Sequence, residues 1–314
     1  MFNNLRELIT SMPDEKSCRE YFAKQRWPDG VAVCPYCGCR KAYVIEGGKR
    51  YKCGNSECYK KFSVTVGTVF EASNIGLTKW FMAVYLCTAH KKGISSYQLA
   101  KDIGVSQKCA WFMLHRIREL MKVKQPVTFT DTVEADETYM ARKYRSDYKG
   151  LPESEIDYKL NSSGNNKGAV LGLGERHTGK VKVFAFESNT TKHIHPTIRE
   201  NVEAGSNLHT DESKLYTLLE GEYNRETVLH RSREWVRRTG LTYVSTNRVE
   251  NFWSVMRRGV YGIYHQISYK HLQRYCDEFA FRYNSRELKD ANRFTISLQQ
   301  TEGRLDWKTL VGKK

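Results

Sequence analysis

Three short stretches of the sequence carry acidic side chains of the kind that bind divalent metal ions. They are Val133-Glu134-Ala135-Asp136-Glu137-Thr138, His209-Thr210-Asp211-Glu212-Ser213 and Asn247-Arg248-Val249-Glu250-Asn251-Phe252-Trp253. The first two stretches are typical of the ends of β-strands, whereas the third has the spacing of a helix. Carboxylates from two strands and one helix that converge on a pair of Mg²⁺ ions can cut and rejoin phosphodiester bonds.

The two strand acids are spaced as neighbours in one sheet would be. Asp136 and Asp211 are 75 residues apart, which leaves room for two more strands and a helix between them. We therefore expect both aspartates on adjacent central strands. Glu134 should point to the same strand face as Asp136, and Glu137 to the other face. Taken alone, each acid is more often a solvated or capping residue, so the prediction depends on the whole set.

The helix that begins near Thr246 is predicted to be amphipathic. Its polar side carries Asn247, Glu250, Ser254 and Arg257. Its apolar side should pack on the sheet and carries Val249, Phe252, Trp253, Met256 and Val260. Glu250 and Arg257 lie two turns apart, so a carboxylate for a metal ion and a cation for a DNA phosphate share one edge of the helix.

The bulk composition favours a nucleic-acid partner. The chain has 314 residues, enough for two or three units with a sizeable buried core. Its formal net charge of +16 favours a protein that binds a polyanion, and the alternative is a soluble basic protein that binds none. No apolar run reaches the roughly 20 residues that cross a bilayer, and the first residues lack a signal-peptide core. We therefore expect a cytoplasmic protein whose cysteines are reduced or metal-bound.

Five of the nine cysteines crowd into one short segment. Cys34 and Cys37 form one pair, and Cys53 and Cys58 form a second pair beyond a β-prone stretch. Four thiolates on two tight turns can bind one structural Zn²⁺, which would supply the folding energy that so small a segment lacks. Cys39 is an alternative ligand or a bystander. The alternative to a zinc ribbon is a coincidental group of free thiols.

Residues 94–121 have the pattern of a helix-turn-helix. Ser95 or Ser96 is predicted to cap the first helix, Gly104 to allow the turn, and Ser106 to cap the second helix. Basic side chains of the second helix are expected on exposed faces, where they would meet DNA: Lys108, His115, Arg116 and Arg118. A plain helical hairpin is the alternative, and the net charge and the neighbouring cysteine cluster favour DNA binding.

Over nearly its whole length, the sequence resembles bacterial transposases of the insertion-sequence 1595 family. The shared motifs are Arg26-Trp27-Pro28-Asp29-Gly30 before Cys34-Pro35-Tyr36-Cys37, Phe62-Ser63-Val64-Thr65-Val66-Gly67-Thr68-Val69-Phe70, Val133-Glu134-Ala135-Asp136-Glu137-Thr138-Tyr139, Thr210-Asp211-Glu212, Asn247-Arg248-Val249-Glu250-Asn251-Phe252-Trp253, Arg257-Arg258-Gly259-Val260-Tyr261-Gly262 and Phe281-Arg282-Tyr283-Asn284. Together these motifs are specific for the family, although no single motif is.

The resemblance implies a multidomain α+β and α/β protein with a zinc ribbon, a helix-turn-helix and a ribonuclease-H-like mixed-sheet catalytic domain. We assign residues 1–75 to an N-terminal lead and zinc ribbon, with the ribbon at about 30–70. Residues 76–124 form the helix-turn-helix region, residues 127–290 the catalytic domain, and residues 291–314 a C-terminal tail.

The resemblance also implies roles for single residues. Asp136 and Asp211 match the two family aspartates. Relatives carry either Glu or Asn at the third position, and this chain has both Glu250 and Asn247, one turn apart. Glu250 is favoured because an anionic oxygen neutralises Mg²⁺ better than an amide does, and Asn247 remains an alternative or supporting ligand. Arg257 stands where the family usually has Lys, and it can hold a phosphate as a planar fork.

These features predict a DNA transposase that cleaves the ends of an insertion sequence and joins them to target DNA. Two Mg²⁺ or Mn²⁺ ions would be held by Asp136, Asp211 and Glu250, and Arg248 and Arg258 would hold the DNA backbone. The expected partners are terminal inverted repeats, target DNA and further copies of the chain, in a homodimer or larger synaptic assembly at the nucleoid. The alternatives are a domesticated or inactive DNA-binding regulator and a ribonuclease-H-like nuclease or resolvase.

Overall fold

The chain divides into two compact units. The computed structural model describes residues 2–122, 127–161, 166–240 and 242–312. The first unit comprises Met1–Lys122 with Ser285–Lys314, and the second comprises Val123–Asn284. None of the described helices is both long enough and apolar enough to cross a membrane.

The two units contain eleven α-helices and ten β-strands within the described residues. In chain order these are α1 (Leu5–Ser11), α2 (Glu15–Arg26), β1 (Ala42–Ile45), β2 (Arg50–Cys53), β3 (Lys61–Phe62), α3 (Leu77–Ala89), α4 (Ser96–Ile103), α5 (Gln107–Leu120), β4 (Thr132–Arg142), α6 (Glu153–Asn161), β5 (Lys167–Glu175), β6 (Val181–Phe186), α7 (Thr191–Asn201), β7 (Asn207–Thr210), β8 (Asn224–Thr227), β9 (Arg237–Thr239), β10 (Thr242–Val244), α8 (Asn247–Gly259), α9 (Leu272–Asn284), α10 (Asp290–Gln299) and α11 (Trp307–Val311).

The first unit combines a small antiparallel sheet with a group of helices. Strands β1, β2 and β3 pair in that order around the cysteine segment. Helix α10 packs against α2 and α3. Its Phe294 makes edge-on contacts with the rings of Phe2 and Phe81. Residues 285–312 thus contribute to the core of the first unit.

The turn between α4 and α5 forms as the sequence predicts. The Ser95 side chain accepts a hydrogen bond from Gln98 N, and the Ser106 side chain accepts one from Cys109 N. Gly104 ends α4 in the left-handed conformation, with φ of 62°. The predicted caps and turn residue are therefore confirmed.

The predicted exposure of the basic residues on α5 is wrong for most of them. The exposed fractions of His115, Arg116 and Arg118 are 0%, 4% and 1%. Arg116 donates a hydrogen bond to Glu71 O, and its guanidinium lies over the ring of Trp80 at 5.6 Å. Helix α5 packs against both α3 and α4, so it buries a wider face than a two-helix hairpin would. Lys108 is exposed.

The second unit is built on a five-stranded mixed sheet. Its strand order is β6-β5-β4-β7-β8, with β4 antiparallel to β5 and parallel to β7. Helices α8 and α9 cover one face, and α7 covers the other. All five apolar residues predicted to pack α8 on the sheet are buried. Asp136 lies on β4 and Asp211 directly follows β7, so the predicted placement on adjacent central strands is confirmed.

The predicted strand end at the first acidic stretch is wrong. Asp136 lies in the middle of the eleven-residue β4, not at a strand end, because the acidic residues that follow it interrupt the apolar pattern without ending the strand. The polar residues 142–167, between β4 and β5, contain the helix α6.

Helix α8 approaches the sheet closely because two glycines of β5 lie beneath it. Gly172 is the register partner of Asp136 on β4, so both positions face α8. A Cβ atom on Gly172 would lie 2.7 Å from Trp253 Cζ2 and from Val249 Cγ1, which real Cβ atoms do not tolerate. A Cβ atom on Gly174 would lie 3.0 Å from Val249 Cγ2.

We therefore predict that Gly172→Ala destabilises the second unit by about 1–3 kcal/mol, because α8 must move away from β5. Chemical denaturation would measure the change. Gly262→Ala is the matched control: a Cβ atom there meets nothing within 4 Å, and we expect less than about 0.5 kcal/mol. Equal stability of the two variants would contradict the close approach.

Candidate functional site

Three carboxylates of the second unit form one acidic cluster. Oxygen atoms of Asp136, Glu137 and Asp211 all lie within 4.8 Å of one another. Strand β7 ends at Thr210, and its last register partner on β4 is Glu134. Asp211 therefore lies beside β4 where the neighbouring strand stops, and it can be reached from both faces of the sheet. This position brings Glu137 into the cluster although it points away from the face of Asp136.

Burial disfavours the ionised form of two carboxyl groups in this cluster. Burial, and then the nearby Asp211 carboxylate, raises the pKa of Asp136 to about 6, although Trp253 Nε1 donates a 3.0 Å hydrogen bond to its Oδ2. Burial also raises the pKa of Glu137 to about 7, partly offset by the neighbouring side chains of Tyr216 and Asn189. Clustered carboxylate oxygens are the ligands that hard divalent cations prefer, so the cluster fits a divalent metal ion.

Asp136 also lines an open cleft of about 420 Å³. The residues that line it are Asp136, His230, Trp235, Glu250, Trp253, Ser254, Arg257 and Arg258. Glu250 Oε1 accepts a 2.8 Å hydrogen bond from Thr246 Oγ1 and lies 3.4 Å from His230 Nε2. Arg257 Nη2 donates a 2.6 Å hydrogen bond to Thr138 Oγ1 of β4. Carboxylates and guanidinium groups therefore face the same space.

Glu134 holds the start of α8 on the sheet. The residue is 2% exposed, and its Oε2 accepts a 2.7 Å hydrogen bond from Arg248 N in the first turn of α8. Its Oε1 accepts a 2.9 Å hydrogen bond from Arg176 Nε. A carboxylate at a helix N-terminus also interacts favourably with the helix dipole. Glu134 thus has a structural role. Arg248, which was predicted to hold the DNA backbone, is half-buried, and the aliphatic part of its side chain lies near Gly174.

Glu212 connects the loop after β7 to the turn that carries His230. Its carboxylate accepts hydrogen bonds from His230 N at 2.9 Å and from Arg231 N at 3.3 Å. The ring of Trp235 lies 4.9 Å from the ring of His230, and Trp235 is 55% exposed. Because Glu212 directly follows Asp211, these hydrogen bonds hold the loop that carries Asp211 against the turn whose His230 lines the cleft.

The remaining predicted residues lie as follows. Asn247 is the exposed first residue of α8, and Arg258 is exposed at the cleft. Sequence reasoning missed Glu137, His230 and Trp235. Glu137 lies on the predicted strand face, but the sequence does not show that β7 ends beside β4 and so brings Asp211 to it. The signal that could have indicated Trp235 is a tryptophan within a run of arginines.

The four predicted cysteines of the first unit converge. Their Sγ atoms lie within 4.8 Å of one another. Cys34 Sγ is 3.9 Å from Cys58 Sγ, and Cys37 Sγ is 3.5 Å from Cys53 Sγ. Tetrahedral Zn–S bonds of about 2.3 Å place sulfurs about 3.8 Å apart, so the cluster fits a structural zinc ion. Cys39 Sγ instead contacts Lys41 O at 3.7 Å, outside this group.

The fold and the two clusters define a ribonuclease-H-like domain with a cluster of three acids, together with a zinc ribbon. Residues 128–284 match the ISXO2-like transposase domain, and residues 13–61 match the transposase zinc-ribbon domain. The chain belongs to the insertion-sequence 1595 family of transposases, which confirms the resemblance seen in the sequence.

Two individual proteins show different degrees of similarity. An uncharacterized protein in transposable element ISH50 of Halobacterium salinarum is 29% identical over 260 residues, which cover 80% of this chain and 84% of that protein. A cryo-EM structure of the simian T-cell lymphotropic virus intasome in complex with PP2A regulatory subunit B56 gamma matches 58% of this chain and 63% of its own chain. That match has 10% identity and a TM-score of 0.28, which is too weak to support an argument.

We predict that Cys34→Ser/Cys37→Ser loses the bound zinc, whereas Cys39→Ser keeps it, because only the first variant removes sulfurs from the cluster. Metal analysis of the purified full-length chain would give the zinc content. Loss of zinc in Cys39→Ser, or its retention in the double variant, would contradict the ligand set.

A second prediction concerns pH. The pKa values of Asp136 and Glu137, about 6 and about 7, lie above the ordinary 3.8 and 4.5. The folded state therefore binds protons more tightly than the unfolded chain, and stability falls as pH rises through about 4 to 7. Without divalent ions, the melting temperature of the second unit should be lower at about pH 8 than at about pH 5.

Mg²⁺ should raise that melting temperature more at the higher pH, because ionised carboxylates bind the ion better. Calorimetry of the full-length chain would measure both effects. The Asp136→Asn/Glu137→Gln variant is the control and should lose most of this pH dependence. An unchanged slope in that variant would show that the acidic cluster does not cause it.

Proposed function

We propose that this chain is a DNA transposase that cleaves the ends of an insertion sequence and joins them to target DNA by metal-assisted phosphoryl transfer. The observation that carries the proposal is the half-buried cluster of Asp136, Glu137 and Asp211, which adjoins a cleft containing Glu250 and Arg257. Membership of a transposase family supports the same reaction.

Mg²⁺ or Mn²⁺ is the metal that this donor set suits. Asp136, Asp211 and Glu250 would hold two ions, with Glu137 as a further anionic group beside Asp136. Two bound ions supply charge neutralisation at the phosphate and activation of the attacking oxygen. Several carboxylates are needed because the charge of two divalent cations exceeds what one acid can balance.

The residues around these acids orient them. Trp253 Nε1 directs Asp136 Oδ2, and Thr246 Oγ1 directs Glu250 Oε1. Such hydrogen bonds fix ligand orientation before a metal ion binds. We propose that Glu250 is the third ligand, since it lines the cleft with Asp136, and that exposed Asn247 has a supporting role.

DNA contacts in this proposal come from exposed cations. Arg257 and Arg258 lie at the cleft, where they would bind the phosphates next to the scissile bond. Lys108 is exposed on α5, and the helix-turn-helix with the zinc ribbon would bind the terminal inverted repeats. Buried Arg116 and Arg118 stabilise the first unit instead. Two ends must be joined, so a homodimer or larger synaptic assembly would form on DNA.

We predict that Asp136→Asn and Asp211→Asn each lower cleavage of the element's ends by more than about a hundredfold, the upper range for residues that only support metal ligands. DNA binding should remain. An in-vitro cleavage assay with Mg²⁺ and a mobility-shift assay would test this. The exposed Asp157→Asn variant is the control and should cleave the ends at the normal rate.

Cleavage by Asp136→Asn would exclude the proposed site. If the unmodified chain binds DNA but does not cleave it, the chain is better explained as a DNA-binding regulator.

The third ligand can be tested separately. Glu250→Gln should impair strand transfer more than Asn247→Ala does, because it removes an anionic oxygen from the cleft. Glu137→Gln should also lower activity, because it removes charge from the acidic cluster. Strand-transfer assays over a range of Mn²⁺ concentrations would rank the three variants. If Asn247→Ala is the more damaging, the third ligand is Asn247.

A further inference from the structure

A second cavity of about 210 Å³ lies along β4 and α8, beyond the candidate catalytic acids. It is lined by Met140, Ala141, Arg142, Tyr144, Lys167, Arg257, Val260, Tyr261, His265, Gln266 and Ile267. We call it the Tyr261 cavity. Arg257 lines both this cavity and the cleft beside Asp136. A DNA strand bound at Arg257 would therefore reach both.

The Tyr261 cavity is cationic. Arg142 and Lys167 are register partners on β4 and β5, so two positive side chains lie directly opposite each other. Like charges in this arrangement destabilise a sheet unless an anion lies between them. Arg257 adds a third cation, and none of the described residues that line the cavity is acidic. The electrostatics therefore favour an anionic ligand such as a phosphate.

Both elements depart from regular geometry where they border the Tyr261 cavity. Strand β4 has a bulge between Met140 and Arg142, and Ala141 has φ of 58°. After α8, Val260–Tyr264 form a π-helical turn, and His265 follows with φ of 57°. Bulges and π-turns redirect side chains and occur often at functional sites. Non-glycine residues with positive φ have a cost that binding sites commonly retain.

The floor and the rim of the Tyr261 cavity have different chemistry. Met140, Val260 and Ile267 form an apolar floor and are 4%, 5% and 5% exposed. Tyr261 stands at the rim and is 61% exposed. A cavity of roughly 150 Å³ accommodates a benzene ring, so this one has room for a nucleobase with its phosphates outside. An apolar floor that can accept a base, together with cations that can bind its phosphates, matches the chemistry of one nucleotide.

We propose that the Tyr261 cavity binds one unstacked base of the DNA strand that passes Arg257. The base contacts the apolar floor and stacks on Tyr261, while Arg142, Lys167 and Arg257 hold the flanking phosphates. Stacking on an aromatic ring tolerates any base, so the cavity sets the register of the strand relative to Asp136 without reading its sequence. This inference deepens the proposed DNA cleavage and rests on it.

Photocrosslinking tests the cavity without any cleavage step. The probe is a short single-stranded oligothymidylate that carries one 5-iododeoxyuridine, mixed with the full-length chain in buffer without added divalent ions. Mass spectrometry of the irradiated complex should identify Tyr261 as a crosslinked residue. Crosslinks confined to residues outside the cavity, such as Trp235, would overturn the proposal.

Affinity measurements give an independent readout. Tyr261→Leu should weaken binding of the same oligonucleotide by at least about fivefold, the low end for loss of one stacked base. Lys167→Gln should weaken it too and reduce its salt dependence. Tyr158→Leu and Lys180→Gln change exposed residues outside the cavity lining and should bind within about twofold of the unmodified chain.

The two proposals fail in different ways. If the chain cuts its cognate ends but Tyr261→Leu binds normally and Tyr261 is not crosslinked, the cavity assignment is wrong and the proposed function stands. If Tyr261 is crosslinked but the unmodified chain cuts no DNA ends with Mg²⁺, the cavity binds a nucleotide and the transposase reaction is wrong.

Discussion

The close contact between α8 and the β4–β5 pair is the constraint on which the rest of the second unit depends. Gly172 leaves the space that Trp253 and Val249 occupy, and Glu134 ties the first turn of α8 to the sheet. Because Asp136 is the register partner of Gly172, the same contact places Trp253 Nε1 on its carboxylate. The position of α8 therefore decides whether Glu250 faces Asp136.

The acidic cluster carries an electrostatic cost that a divalent cation would offset. Burial raises the pKa of both Asp136 and Glu137, so the ionised cluster opposes folding near neutral pH. Stability and metal binding are consequently linked through the same carboxylates. The close helix packing and the buried structural residues around the site, such as Glu134, hold these groups together despite their repulsion.

Much of the local structure could be predicted from the sequence, because it depends on near neighbours along the chain. The caps at Ser95 and Ser106 follow from side chains that bind backbone amides three residues away. The buried side of α8 follows from helical periodicity. The bounds of the strand that contains Asp136 were harder to predict, because neighbouring acidic residues interrupt the alternation of apolar and polar residues by which a strand is recognised.

The sequence by itself determined the family, the two cysteine pairs, the amphipathic α8 and the aspartates on adjacent strands. Only the tertiary structure decided which further residues join the acidic cluster and the sulfur cluster, and which basic residues are exposed. It brings Glu137 to Asp211 because β7 ends beside β4, leaves Cys39 outside the sulfur cluster, and buries Arg116 and Arg118. The physical reason is that periodicity encodes which face of an element is buried, whereas charge clustering depends on where neighbouring elements end and how closely they pack.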